Sequence, residues 1–158
     1  MRARDLAEPY PTVALDDQAL DAARLLAVHR LPGVLVVDGP GTPRALLPAS
    51  QLVRLLVPGY IMEDPTLAAV IDEAHADRLC EALTGLRVRD CLPTDAPAPS
   101  VADADDTAVE IATLMARTRS PLVAVVERAP NGPRNPAPGR LLGVITASHL
   151  LHRLLGNP

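Results

Sequence analysis

The sequence has no tryptophan, no phenylalanine and no lysine, and only two cysteines and two tyrosines in 158 residues. All fifteen basic residues are therefore arginines. The absence of lysine excludes a phosphate-binding loop ending in Gly-Lys-Ser/Thr, a Schiff-base lysine and a Ser-Lys dyad. Arginine without lysine, together with abundant alanine and proline, is typical of a bacterial genome of high G+C content.

Other absences narrow the class of protein further. Cys80 and Cys91 form neither a close-spaced ligand pair nor a framework of several disulfides, so we expect both to be buried thiols in a reducing cytosol. No apolar run approaches the roughly 18 residues of a membrane span, and the N-terminus does not follow the pattern of a signal peptide. A net charge of −4 without a basic cluster argues against nucleic acid or an anionic membrane as a partner. The sequence predicts a cytoplasmic protein without membrane insertion.

The chain contains two copies of one unit. Residues Asp16–Ala27 recur as Asp105–Ala116 with matching chemistry, and Leu46–Leu52 recur as Val144–Leu150. The second copy is longer because a Pro/Gly/Asn-rich stretch, 127–140, precedes its last strand, and we interpret this stretch as a surface loop. Units this small bury their apolar faces against each other, so we expect the copies to pack about a pseudo-twofold axis.

Each copy predicts an α+β unit with the order strand, helix, strand, strand, helix. Paired aspartates, Asp16-Asp17 and Asp105-Asp106, are expected to cap the first helix of each copy. The connector at 58–86 contains the helix start Asp64-Pro65 and a helix-favouring run at 68–83. The predicted strands are 11–15, 34–37, 44–47, 99–103, 123–126 and 141–145, and the predicted helices are 18–29, 49–57, 107–118 and 147–155.

The closing motif of each copy points to a family. The second copy ends in Gly143-Val144-Ile145-Thr146-Ala147-Ser148-His149-Leu150, and the first ends in Ala45-Leu46-Leu47-Pro48-Ala49-Ser50-Gln51-Leu52. This ordered pair resembles the CBS domain pair, or Bateman module, over nearly the whole chain. The resemblance implies tandem β-α-β-β-α domains at 1–57 and 87–158 joined by the helical connector 58–86. It also implies a non-catalytic regulatory module with an adenosine-containing ligand such as AMP, ATP or S-adenosylmethionine in clefts between the domains.

The resemblance assigns the ribose contacts to the closing motif, where family members carry a Thr hydroxyl and an Asp carboxylate. A carboxylate can accept from both hydroxyls of a cis-diol, and a charged acceptor makes a bond about twice as strong as a neutral one. Pro48 and Gln51 replace both groups in the first copy. Thr146 is retained in the second copy, but His149 replaces the Asp, and a neutral imidazole accepts one bond and donates one. The second copy is therefore the better candidate, and a dimerisation or scaffold module with degenerate clefts is the alternative.

The remaining expected contacts lie around the first two strands of each copy, where the resemblance places the base. Tyr10 is a candidate stacking ring or a cover for the domain edge. No cofactor and no metal site is expected, because His149 and His152 alone are incomplete for zinc. The absence of a nucleophile motif argues against an enzyme. The residues that the resemblance implies at ligand sites are Thr146, His149, Ser100, Val101, Pro121, Leu122, Tyr10, Val13 and Gln51.

Arginines near the helix ends are the remaining basic candidates. Arg30 is expected to be a solvated residue after a helix end, and Arg117 and Arg119 are interpreted in the same way, with contact to an anionic ligand as the alternative. The resemblance implies a homodimer. We expect any signal to pass to a separate effector protein, either a transporter or an enzyme, or to act through a change in the shape of the oligomer.

Overall fold

The computed structural model describes residues 1–39, 41–96, 98–128 and 139–156. Most of the predicted loop at 127–140 lies outside the described residues. In chain order, the elements are α1 Ala3–Leu6, β1 Thr12–Ala14, α2 Ala19–His29, β2 Gly33–Asp38, β3 Thr42–Pro48, α3 Ala49–Leu56, α4 Gly59–Glu63, a first 3₁₀ helix Pro65–Val70, α5 Glu73–Asp77, a second 3₁₀ helix Leu79–Leu83, α6 Val88–Cys91, β4 Val101–Asp103, α7 Ala108–Thr118, β5 Leu122–Glu127, β6 Arg140–Thr146 and α8 Ala147–Leu155. The predicted α+β class and the β-α-β-β-α order of each repeat are confirmed.

Each repeat contributes a three-stranded sheet, with the orders β1-β2-β3 and β4-β5-β6. In the second sheet, β4 pairs parallel to β5, and β5 pairs antiparallel to β6. The central strands are buried on both faces, since Val34–Val36 and Val123–Val125 have no exposed surface. Burial on both faces explains why these runs are continuously apolar and do not alternate with polar residues.

The chain forms two compact units that draw on different parts of the sequence. The second-repeat unit consists of Met1–Thr12, Val37–Ala45 and Pro97–Pro158, and the first-repeat unit consists of Val13–Val36 and Leu46–Ala96. The core of the second-repeat unit includes Ala3 and Leu6 from α1. The N-terminal segment is thus part of the unit that holds the second repeat. The domain bounds expected from the sequence, 1–57, 58–86 and 87–158, stay a prediction.

A short repeated motif, Arg-x-Arg-Asp, forms α1 and α6 and escaped the sequence analysis. In both helices the Asp carboxylate accepts a bond from the backbone N–H of the first Arg, Asp5 from Arg2 and Asp90 from Arg87, each at 2.9 Å. Both helices also bury their apolar residues, because Leu6 is fully buried and Cys91 is 1% exposed. Each of these segments therefore contributes to a core as well as to the surface.

The arginines of this motif bind the turn before the first long helix of a repeat. In the second-repeat unit, Arg2 Nη1 donates to the carbonyl oxygen of Asp105 at 2.6 Å, and Arg4 Nη2 donates to its carboxylate at 2.5 Å. In the first-repeat unit, Arg87 and Arg89 bind Asp16 in the same way. The duplication therefore includes these contacts.

The paired aspartates do not cap α2 and α7, so that prediction is wrong. Asp17 Oδ2 accepts from Ala14 N at 2.8 Å, and Asp106 Oδ2 accepts from Asp103 N at 2.9 Å. These carboxylates close the turn after the strand, which takes them away from the helix start.

The N-cap of α7 is Thr107. Its Oγ1 accepts from Glu110 N at 3.3 Å, and the Glu110 carboxylate accepts from Thr107 N at 2.7 Å, which forms a capping box. Two hydrogen bonds from Thr107 lower the pKa of Glu110 from its ordinary value. The bond from the backbone N–H has the larger effect, and the bond from the side-chain hydroxyl has the smaller one. Gln18 is the N-cap of α2 and makes no side-chain cap.

The connector is helical, but its predicted run at 68–83 is broken into short pieces. Asp64 begins the first 3₁₀ helix, as expected, by accepting from Thr66 N at 3.2 Å. Asp72 accepts from His75 N at 2.8 Å and so begins a new helix within the run.

The two cysteines differ in exposure. Cys91 is buried, as predicted, and burial followed by the charge of Asp90 raises the pKa of its thiol. Cys80 is exposed, so the prediction of a buried thiol is wrong there. Cys80 lies in the second 3₁₀ helix, whose buried side is provided by Leu83.

Candidate functional site

The candidate site lies in the second-repeat unit at the junction of β6 and α8. Thr146 is the N-cap of α8, and its Oγ1 accepts from His149 N at 3.2 Å. The same hydroxyl lies 3.2 Å from Ser148 Oγ. The side chain of His149 is 17% exposed. Since a hydroxyl carries two lone pairs and one hydrogen, Thr146 can cap the helix and still bond a ligand.

Glu8 brings a carboxylate to this junction, and the sequence analysis did not identify it. Its backbone pairs with Val144: Glu8 N donates to Val144 O at 3.0 Å, and Val144 N donates to Glu8 O at 2.9 Å. Its carboxylate Oε1 lies 3.4 Å from His149 Nδ1. The first turn of α8 has no acidic residue of its own. The N-terminal segment therefore supplies a negative group to the positive end of α8.

Gly143 permits this pairing. A Cβ atom at residue 143 would lie 2.5 Å from the carbonyl oxygen of Glu8 and 3.2 Å from its nitrogen. Only a residue without a Cβ allows the two backbones to approach so closely. The glycine of the closing motif thus fixes the place of Glu8.

The second-repeat unit also contains five other predicted residues. Ser100 Oγ donates to Thr118 Oγ1 at 3.0 Å, and Pro121 O accepts from Ala147 N at 2.9 Å, which joins the start of β5 to the start of α8. Leu122 is 2% exposed and belongs to the core. Val101 and Tyr10 are half-buried, and burial raises the pKa of the Tyr10 hydroxyl.

Two predicted residues, Val13 and Gln51, lie in the first-repeat unit. Gln51 Nε2 donates to Cys91 O at 3.2 Å, so its amide holds the end of α6. Val13 is 6% exposed. Pro48 is the N-cap of α3 and makes no side-chain cap. Pro48 and Gln51 thus provide neither a capping hydroxyl nor a carboxylate at the junction of β3 and α3.

The basic candidates are exposed. Arg30 and Arg119 both have φ of 51° and end α2 and α7 in the left-handed conformation. The prediction that Arg30 follows a helix end is confirmed, and Arg117 is exposed on the last turn of α7.

Among the described residues, no three His, Cys, Asp or Glu side chains are placed to hold a metal ion. Within the same ranges, no helix is both long and apolar enough to span a bilayer.

Two β-α-β-β-α repeats, each closing with a strand-to-helix junction, define a tandem-repeat module. The chain is similar to the crystal structure of a CBS domain-containing protein of unknown function from Kribbella flavida, with 46% identity, 99% of each chain covered and a TM-score of 0.83. The chain therefore belongs to the CBS domain-containing proteins.

More distant structures share the fold. CBSX2 in complex with AMP is 20% identical, with 98% of this chain and 96% of that chain covered and a TM-score of 0.65. The CBS domain of a bacterial CNNM/CorC family Mg²⁺ transporter in complex with ATP is 14% identical, with coverage of 100% and 89% and a TM-score of 0.66. No protein-family model and no curated protein matches the sequence.

Proposed function

We propose that this chain is a regulatory module that binds an adenosine-containing metabolite at the β6–α8 junction of its second-repeat unit and passes the signal to a separate effector protein. The observation that carries the proposal is the group of polar side chains at that junction: Thr146, Ser148, His149 and Glu8. The complexes of two similar structures with AMP and ATP support the ligand class. The proposed function includes no catalytic step and no required cofactor.

The first-repeat unit is the weaker candidate for a ligand. Pro48 has no hydroxyl, and the Gln51 amide already donates to the carbonyl oxygen of Cys91. That bond directs the amide to α6, and residue 51 offers a ligand no carboxylate. We therefore assign one ligand site to each chain.

A second copy of the chain is the partner that we propose for the exposed apolar face of α7 and α8. Val109 is 72% exposed, Leu151 is 56% exposed and Leu154 is 47% exposed. Closed twofold assembly is the common outcome for oligomers of identical chains. A similar CBS domain belongs to an Mg²⁺ transporter, which supports a transporter as one kind of effector, with an enzyme as the other.

The alternative function is a dimerisation or scaffold module that binds no ligand. The engaged amide of Gln51 favours it for the first-repeat unit, and His149 at the end of the second closing motif favours it for the other. The two functions differ in one measurable property, which is whether a nucleoside ligand stabilises the folded chain.

A thermal-shift panel of AMP, ADP, ATP, NAD, S-adenosylmethionine and diadenosine polyphosphates tests the proposal. A ligand that binds only the folded chain adds about 2.7 kcal/mol to its stability at a hundred times the dissociation constant. The variant Thr146→Ala removes the hydroxyl and the N-cap of α8, which by itself costs about 1 kcal/mol. Thr107→Ala is the matched control, because it removes the N-cap of α7.

We expect at least one adenosine compound to raise the melting temperature of the wild type and of Thr107→Ala, and to raise that of Thr146→Ala much less. A panel without any shift contradicts the sensor function and supports the scaffold. A shift that Thr146→Ala retains in full contradicts the assignment to the β6–α8 junction.

A further inference from the structure

Glu8 is held at the β6–α8 junction by its backbone, so its side chain is not needed to place the segment. Two hydrogen bonds pair it with Val144, and Gly143 provides the space for this approach. The Glu8 side chain is 57% exposed, although its backbone is paired. This arrangement, a fixed backbone with an accessible carboxylate, suits a residue that contacts a ligand.

His149 lies beside this carboxylate. Its Nδ1 lies 3.4 Å from Glu8 Oε1, and its side chain is largely buried. An ionised carboxylate has two oxygens with about four lone-pair sites, so one contact with an imidazole leaves the others available. The positive end of α8 also favours a negative group here.

The first repeat has no counterpart to this carboxylate. When the Arg-x-Arg-Asp segments are aligned, Arg2 corresponds to Arg87 and Glu8 corresponds to Pro93. Proline has neither a carboxylate nor a backbone N–H. The two repeats thus differ at this position as well as at Gln51 and His149.

We infer that Glu8 is a ligand-binding residue, whose carboxylate accepts hydrogen bonds from vicinal hydroxyls of the ligand while His149 positions it. The inference rests on the proposed function, because it names the group that would recognise the ribose of an adenosine compound. A carboxylate accepting from two adjacent hydroxyls forms charge-assisted bonds, and these are stronger than bonds between neutral groups. Recognition of the sugar would then depend on a residue outside the closing motif.

Calorimetric titrations with AMP and 2′-deoxy-AMP test this role. The variant Glu8→Gln keeps the size of the side chain and removes its charge. The matched control is Glu63→Gln, which changes an exposed carboxylate in the first-repeat unit. Melting curves without ligand check that Glu8→Gln folds as the wild type does, and the deoxy ligand removes one hydroxyl without any change to the protein.

We expect the wild type to bind AMP at least about tenfold more tightly than 2′-deoxy-AMP. Glu8→Gln should lower the affinity for AMP about ten- to hundredfold, which is the usual effect of losing a hydrogen bond to a charged group. The variant should bind the two ligands within about threefold of each other, and Glu63→Gln should match the wild type. Equal affinities of the wild type for both ligands, or an unchanged preference in Glu8→Gln, would overturn the role of Glu8 alone. A wild type that binds neither ligand would overturn this inference, whereas the proposed function fails only if no compound of the thermal-shift panel raises the melting temperature.

Discussion

Gly143 shows how one residue can allow a carboxylate from a distant part of the sequence to reach a strand-to-helix junction. In the sequence, Gly143 is only one residue of the closing motif. In the structure, a Cβ at this residue would lie 2.5 Å from the carbonyl oxygen of Glu8. The same glycine therefore holds the N-terminal segment on β6 and sets the position of the Glu8 carboxylate. Its counterpart in the first repeat is Ala45.

Replacement of Gly143 by alanine should destabilise the chain by about 1–3 kcal/mol, as is usual when a packed site is overfilled. The added methyl would clash with backbone atoms of Glu8, which cannot rotate away as a side chain can. Gly59→Ala is the control, because nothing lies within 4 Å of its Cβ position and its φ is not positive. Urea denaturation measures the free energy of unfolding of both variants and of the wild type. Equal stabilities of Gly143→Ala and the wild type would show that Glu8 does not lie on β6.

Thr146 could be predicted from the sequence as a candidate ligand contact and Glu8 could not, for a physical reason. Thr146 lies inside a local motif, and its role as the N-cap of α8 follows from its neighbours. Glu8 reaches the β6–α8 junction because the N-terminal segment, which includes Ala3–Leu6, packs against the second repeat and bonds to it through its backbone. No local sequence pattern indicates such a contact between distant segments. The repeated Arg-x-Arg-Asp segment was the available signal, because it indicates that the duplication extends beyond the main elements.

At the scale of elements, the long helices and buried strands could be predicted because their patterns are strong and occur twice. α2 and α7 begin one residue after the predicted starts and end where predicted. The connector was harder, because helix-favouring residues at 68–83 do not show where Asp72 begins a new helix by accepting a backbone N–H. The short α1 and α6 have four residues each, which is too few for a periodic signal.

The apolar face of α7 and α8 carries a prediction at this scale. The double variant Val109→Asp, Leu151→Glu should convert a dimer of the wild type into a monomer, because two charges would be buried without partners at the interface. Both helices should persist, since an acidic residue suits the first turn of α7 and glutamate has a high helix propensity within α8. Val70→Asp is the control, as Val70 is 77% exposed in the connector. Analytical ultracentrifugation measures the mass of the assembly that the wild type and each variant form in solution. A monomeric wild type, or a double variant that remains dimeric, would contradict the use of this face.

At the scale of the whole molecule, the two repeats share a fold and differ in chemistry. Both repeats have the same order of strands and helices, and in both an arginine binds the aspartate turn that precedes the first long helix, Asp105 in the second repeat and Asp16 in the first. Within the part of the chain that the structure describes, only the second-repeat unit combines a threonine cap, a largely buried histidine and a carboxylate at its strand-to-helix junction. In the first-repeat unit, the corresponding amide of Gln51 holds α6. The family could be predicted from the duplication, whereas this difference required the contacts between distant segments.

The most direct test of this account is the number of AMP molecules bound per chain in a calorimetric titration. We predict one molecule per chain, with binding much reduced by Thr146→Ala and unchanged by Gln51→Ala. Two molecules per chain, or a site that Gln51→Ala abolishes and Thr146→Ala leaves intact, would contradict the assignment of ligand binding to the second repeat.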